Sequence, residues 1–283
     1  MEDTYIESQG KKHFPDTVGS LKIFGLLLVC MLLFAPVLLL FDHLFGRDIA
    51  FGVFYLLSMG VPAYYLHRKR KKNAPEATYK LEWKQPRILI VLILASLGLL
   101  LGIIAPIMDM MPMPEWLIEV FLSMADHSLI YAIITAVVLA PILEEIIFRG
   151  IVLDGLLKNY SPPKAIIISS LVFAAIHLNP WQFVSAFIGG LFIGWVYYRT
   201  RNLAYAIIIH AANNFFALAP AFFFDSEALI TREITTVDMF GGWLPYILIT
   251  LACILLFVGS ILFLRKWLVT KEHPDLVQDD AGS

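Results

Sequence analysis

Ala140-Pro141-Ile142-Leu143-Glu144-Glu145-Ile146-Ile147-Phe148-Arg149 sets two adjacent carboxylates and a guanidinium inside an apolar run that begins near Ser128. The run is long enough to enter a bilayer, where ionisable side chains are expensive and usually functional. On a helix Glu145 and Arg149 are four residues apart and share a face, whereas Glu144 points about 100° away from Glu145. One glutamate therefore has a partner on its own helix, and the other has none. Glu145 with Arg149 reads as a structural ion pair. Glu144, a carboxylate without a cation in a low-dielectric setting, reads as the candidate general base or acid.

The rest of the composition agrees with a membrane setting. Of 283 residues, 59% are hydrophobic and only 16% charged, and the mean hydropathy is +0.76, well outside the balance of soluble domains. The fold class expected is all-α: a polytopic membrane protein of about eight transmembrane helices with an intramembrane polar site. The net charge of -2, with no basic face interleaved with aromatics, gives no sign of nucleic-acid binding. Cys30 and Cys253 both lie in apolar runs and make neither a disulfide framework nor a thiolate metal site.

Eight runs can be followed in order: Ile23 to Phe41, Ile49 to Leu66, Ile88 to Met108, a fourth from Ser128 past Arg149, a fifth from Pro162 to His177, Trp181 to Tyr198, Leu203 to Phe224, and Met239 to Leu264. The basic cluster His67-Arg68-Lys69-Arg70-Lys71-Lys72, with Arg199, Arg201, Arg265 and Lys266, marks cytoplasmic ends by the positive-inside rule, and both termini fall on that side. The segment with Asp109, Glu115 and Asp126 carries no Lys or Arg and falls outside. Gly190 and Gly194 have the spacing that lets membrane helices approach closely. The organisation is then a polar cytoplasmic N-terminus over 1–22, three membrane helices and an external loop over 23–127, a core of helices four to seven over 128–224, an external loop and the eighth helix over 225–266, and a polar C-terminal tail over 267–283.

Within the hydrophobic spans, only Glu144, Glu145, Arg149, His177 and His210 are ionisable and lie away from the ends. If the fourth and fifth helices form an antiparallel hairpin turning near Tyr160 and Ser161, Glu144 and His177 lie at similar distances from the turn. His210 and Asn214 are four apart on one face of the seventh helix. Glu144, His177, His210 and Asn214 can therefore converge. Singly, an intramembrane His or Asn is as readily an interhelical hydrogen-bond link, and Phe173 a core residue. Together they place costly polar groups from three helices at one depth.

Glu144-Glu145-x-x-x-Arg149, Phe173-x-x-x-His177 and His210-x-x-x-Asn214, in that order on successive helices, resemble the motifs of the CPBP family, the CAAX-processing (CAAX prenyl protease type II) and bacteriocin-processing, Abi-like intramembrane endopeptidases. The resemblance covers roughly Ser128 to Phe224. It implies a protease in which Glu144, with His177, activates a water for attack on a peptide carbonyl while His210 and Asn214 stabilise the oxyanion, with Glu145, Arg149 and Phe173 in supporting roles. The implied substrate is a membrane-tethered peptide or protein, CAAX-type prenylated or not.

Two alternatives stay open. A zinc-dependent version of the same protease would use Glu144, His177 and His210 as ligands, but no His-Glu-x-x-His occurs and Asn is a poor zinc ligand, so no cofactor is expected. A non-proteolytic transporter or scaffold could use the same polar groups; a transporter would be favoured by inverted repeats, and no repeat is visible. Serine-type and aspartyl-type intramembrane proteases need a Gly-x-Ser-x-Gly-like serine or two intramembrane aspartates, and neither is present.

Overall fold

A computed structural model describes residues 13–83, 85–125 and 128–268. Lys11, Lys12, Asp126 and the tail beyond 268 lie outside the described residues. These form helices α1 (Thr17–Phe45), α2 (Arg47–Asn73), α3 (Pro86–Met110), α4 (Glu115–Ala125), α5 (Leu129–Leu156), α6 (Pro162–Ala175), α7 (Pro180–Thr200), α8 (Leu203–Phe222), the short α9 (Ser226–Ile230) and α10 (Thr236–Met239), and α11 (Trp243–Trp267). No β-strand occurs among them beyond one isolated bridge between Lys80 and Asn202. The outer surface carries large apolar side chains such as Leu32, Leu39 and Leu255, each more than 70% exposed, as expected where the surrounding solvent is lipid. This is a helical, multi-pass integral membrane protein.

Among the described residues six helices, α1, α2, α3, α5, α8 and α11, are long and apolar enough to cross a membrane. The count of eight crossings expected from hydropathy is not confirmed. α6, where the fifth was placed, has 14 residues, about 21 Å at 1.5 Å per residue, against an apolar layer about 30 Å thick. α7 has 21 residues but ends in Tyr197-Tyr198-Arg199-Thr200, and it falls outside the apolar set. α6 runs antiparallel to α5, with the Ser169 hydroxyl donating to the Phe148 carbonyl at 2.9 Å and the rings of Phe148 and Phe173 5.1 Å apart. That register brings Phe173 to the level of Glu144 and the break between α6 and α7 to the level of Ala140, about one turn beyond. Non-helical backbone at such depth must find partners within the protein. Asn179 supplies them, accepting from the Gln182 N–H and donating to the His177 carbonyl.

Four single π-helical turns interrupt the described helices: Leu56–Gly60, Leu100–Ile104, Ile134–Leu139 and Phe148–Leu153. The first three are each followed two residues later by a proline, Pro62, Pro106 and Pro141. Proline cannot donate to the carbonyl four residues back, and its ring crowds that carbonyl; the widened turn relieves the conflict. Carbonyls in such turns are available to neighbouring helices. Ala136 accepts from Asn214 on α8, and Phe148 accepts from Ser169 on α6.

Two apolar clusters fill the bundle. One gathers Leu27, Leu66, Ile147, Phe148, Leu153 and Phe173 from α1, α2, α5 and α6. The other gathers Leu92, Leu99, Phe192, Val196, Ile209 and Leu264 from α3, α7, α8 and α11. The close approach expected of α7 is made at Gly190 and Gly194, where added Cβ atoms would lie 3.2 Å from Ser170 and 3.1 Å from Ile166 on α6.

One end of the bundle is tied by charge. Asp154, at the end of α5, pairs with Arg70 of α2 at 3.4 Å, with Lys158 at 3.1 Å and with Arg201 after α7 at 3.3 Å. The loop before α3 joins the same end, since the Leu203 N–H donates to the Lys80 carbonyl and Asn202 exchanges two hydrogen bonds with Glu82. Removing a shared partner strands charges that are largely shielded from water, while an exposed pair contributes little. Asp154→Ala should therefore lower the thermal unfolding temperature in detergent by several degrees. Lys158→Ala, whose side chain is 43% exposed, should leave it nearly unchanged.

Candidate active site

The segment of α5 from Ala140 to Ile147 lies between two π-helical turns and carries both glutamates. Glu145 and Arg149 form the ion pair that their spacing allows, with Nη1 donating to Oε1 at 2.9 Å, and both side chains are shut off from solvent. Arg149 also donates from Nη2 to the Gly190 carbonyl on α7 at 3.3 Å, and its guanidinium lies 4.5 Å from the centre of the Phe173 ring. Glu145 takes a second donor on the same oxygen: His210 Nδ1 at 2.7 Å. Its Oε2 and Arg149 Nε have no hydrogen-bond partner among the described residues.

Glu144, expected to stand without a partner, has one. The Tyr55 hydroxyl on α2 donates to its Oε1 at 2.6 Å. The other oxygen, Oε2, lies 3.8 Å from His210 Nε2, too far for a direct hydrogen bond and near enough to share a small bound molecule. Glu144 and His210 are each 6% exposed. His210 thus spans the two glutamates, held by Nδ1 and presenting Nε2.

His177 lies just past the last turn of α6 and is half-buried. Its Nδ1 donates to the Phe173 carbonyl at 3.1 Å. Among the described residues it makes no hydrogen bond to either glutamate. Phe173 sits between the two histidines, its ring edge-on to His177 at 5.3 Å and to His210 at 5.6 Å. Asn214 donates one amide proton to the Ala136 carbonyl at 2.7 Å, so its amide is anchored across from α8 to α5. Asn213, beside it, has a buried Oδ1 with no partner among the described residues.

Residues 126–216 match the family model described as type II CAAX prenyl endopeptidase Rce1-like. The chain carries an Rce1-like domain. That segment contains Glu144, Glu145, Arg149, Phe173, His177, His210 and Asn214, while Tyr55 lies outside it. No curated protein and no solved structure matches the chain.

About two helical turns along α5 and α8 from the polar cluster of the Rce1-like domain lies a cavity of about 390 Å³. Its wall includes Phe51 from α2, one turn before Tyr55, Thr135 and Ala136 from α5, and Ala217 and Leu218 from α8. The lining is mostly apolar, with Asp48 and Ser226 among its few polar members. The Asn214–Ala136 bond joins two of the helices that bound it. Among the described residues no three His, Cys, Asp or Glu side chains stand close enough to share a metal ion.

Sequence reasoning missed Tyr55 because a lone tyrosine in an apolar run carries no local signature. The ion pair gives a direct test of what holds the site. Removing one member of a buried pair costs about 3–5 kcal/mol, and replacing both by apolar groups costs less. Arg149→Met should lower the unfolding temperature sharply. Adding Glu145→Gln to Arg149→Met should recover part of the loss, a coupling that a double-mutant cycle of melting curves would measure.

Proposed function

We propose that the protein is an intramembrane endopeptidase that hydrolyses a peptide bond in a membrane-tethered, CAAX-type prenylated peptide, with Glu144 as its general base. The observation that carries the reading is Glu144 itself: a buried carboxylate with one oxygen tied to Tyr55 and the other 3.8 Å from a histidine, inside a domain whose family cleaves peptides. In this reading Glu144 Oε2 and the His177 Nε2 lone pair accept the two protons of a water. The water oxygen attacks the scissile carbonyl, and its proton passes to Glu144. Collapse of the tetrahedral intermediate breaks the C–N bond as Glu144 returns that proton to the amide nitrogen.

Two donors are assigned to the oxyanion. In this reading His210 donates from both ring nitrogens. Nδ1–H then stays on Glu145, and Nε2–H is free to donate. Asn214 keeps one amide proton beyond the one given to Ala136. Donors held in place where charge develops contribute about 3–4 kcal/mol each to barrier lowering. An apolar chain attached to the peptide is assigned to the cavity of about 390 Å³, whose walls on α5 and α8 begin about 10–12 Å along those helices from Glu144 and His210.

The same site is read as metal-free, because the sequence has no His-Glu-x-x-His, Asn is a poor zinc ligand and the His177 Nδ1 is committed to its own helix. The basic end around Asp154 is assigned to the cytoplasm, which puts both termini on that side. Reporter fusions at residue 70 and residue 115 should then report opposite faces, with residue 70 cytoplasmic; like signals would overturn the orientation. In detergent or proteoliposomes, a prenylated fluorescence-quenched peptide should be cut by the parent protein. Glu144→Gln should abolish turnover while leaving the melting curve unchanged. Near-parental turnover by Glu144→Gln would overturn the base assignment, and activity lost to a strong chelator and restored by stoichiometric zinc would overturn the metal-free one.

A further inference from the structure

We infer that Tyr55 is a positioning residue, whose phenol holds Glu144 by Oε1 and thereby keeps Oε2 as the one oxygen that faces the reacting atoms. The inference rests on the assignment of Glu144 as the base. It concerns a helix that the family match does not reach: Tyr55 lies on α2, as the last residue before the π-helical turn Leu56–Gly60.

The contact has the length of a charge-assisted O–H···O⁻ bond, 2.6 Å. A phenol titrates near pH 10 in water, so it serves as a donor at neutral pH. Tyr55 is itself fixed, since its ring packs against the apolar cluster containing Phe148 and Val152 and its carbonyl accepts from the Ser58 hydroxyl within the π-helical turn. The terminal torsion of a glutamate is soft, with a broad two-fold profile. Without an anchor the carboxylate can swing.

Its nearest destination is His210. Oε2 is 3.8 Å from His210 Nε2, and closing that gap by about 1 Å would make a direct hydrogen-bonded ion pair. His210 cannot retreat, because its Nδ1 is bound to Glu145 at 2.7 Å and Glu145 is bound to Arg149. A Glu144–His210 pair would occupy the base and the Nε2 donor together. Tyr55 pulls from the opposite side and holds the gap open. Three residues on three helices thus fix one distance: Tyr55 on α2, Glu144 on α5 and His210 on α8.

The test compares Tyr55→Phe, which keeps the ring and loses only the hydroxyl, with the parent and with Glu144→Gln, using the prenylated quenched peptide. Tyr55→Phe should lower kcat by about 10- to 100-fold, the range for losing one hydrogen bond to a charged group, with KM within about twofold and the melting temperature unchanged. Incorporating 4-aminophenylalanine at position 55 should restore a donor and recover most of the lost kcat. A parental kcat for Tyr55→Phe beside an inactive Glu144→Gln would overturn the positioning role alone. A fall in kcat matched by a fall in melting temperature, and not rescued by 4-aminophenylalanine, would overturn it in favour of simple packing. Turnover retained by Glu144→Gln would instead remove the base assignment on which the inference stands.

Discussion

The ion pair between Glu145 and Arg149 is the constraint on which the rest of the site depends. Arg149 is among the largest side chains in the protein with essentially no exposed surface, and a charge so placed must be matched where it lies. Glu145 matches it, and the consequences spread outward. The guanidinium reaches α7 through Gly190, which has no side chain to block it. It stacks on Phe173 of α6, and Phe173 in turn stands against both histidines. The carboxylate orients His210. An interaction that does no chemistry in the proposed mechanism therefore sets the positions of the groups that do.

The two adjacent glutamates divide their work because a helix points them apart. Glu145 faces inward to a cation and a histidine. Glu144 faces α2, and it meets only the Tyr55 hydroxyl at hydrogen-bond distance. The same sequence neighbours thus occupy different electrostatic surroundings, and the difference comes from about 100° of rotation per residue. The Rce1-like domain supplies one half of this arrangement, and α2, outside the matched segment, supplies the hydroxyl.

Much of this was legible in the sequence, for identifiable reasons. Hydropathy located all the long membrane helices, because about twenty consecutive apolar residues match the thickness of a bilayer's hydrocarbon layer. The i, i+4 spacing of Glu145 and Arg149 foretold their pairing, since local geometry decides it. Non-local partners were another matter. Arg70 and Arg201 were read as markers of a membrane face, and nothing near them in sequence pointed to Asp154, their common partner. Tyr55 reaches Glu144 across 89 positions. The end of α6 was also blurred, because Ile176 and Leu178 continue its apolar pattern after the helix has ended at Ala175.

The prolines after the π-helical turns have a consequence for how the helices keep their phase. A widened turn takes up one extra residue without rotating the rest of the helix, so each proline-marked turn acts as a local slack in an otherwise rigid rod. Tyr55 precedes one such turn, and the Ala140–Ile147 segment with both glutamates begins just after another. The two rods that bring Tyr55 and Glu144 together thus absorb a residue at these points while the packed lengths on either side stay in register. A polar contact of 2.6 Å between two long membrane helices can then be set close to where it is made, independently of how their distant ends are seated.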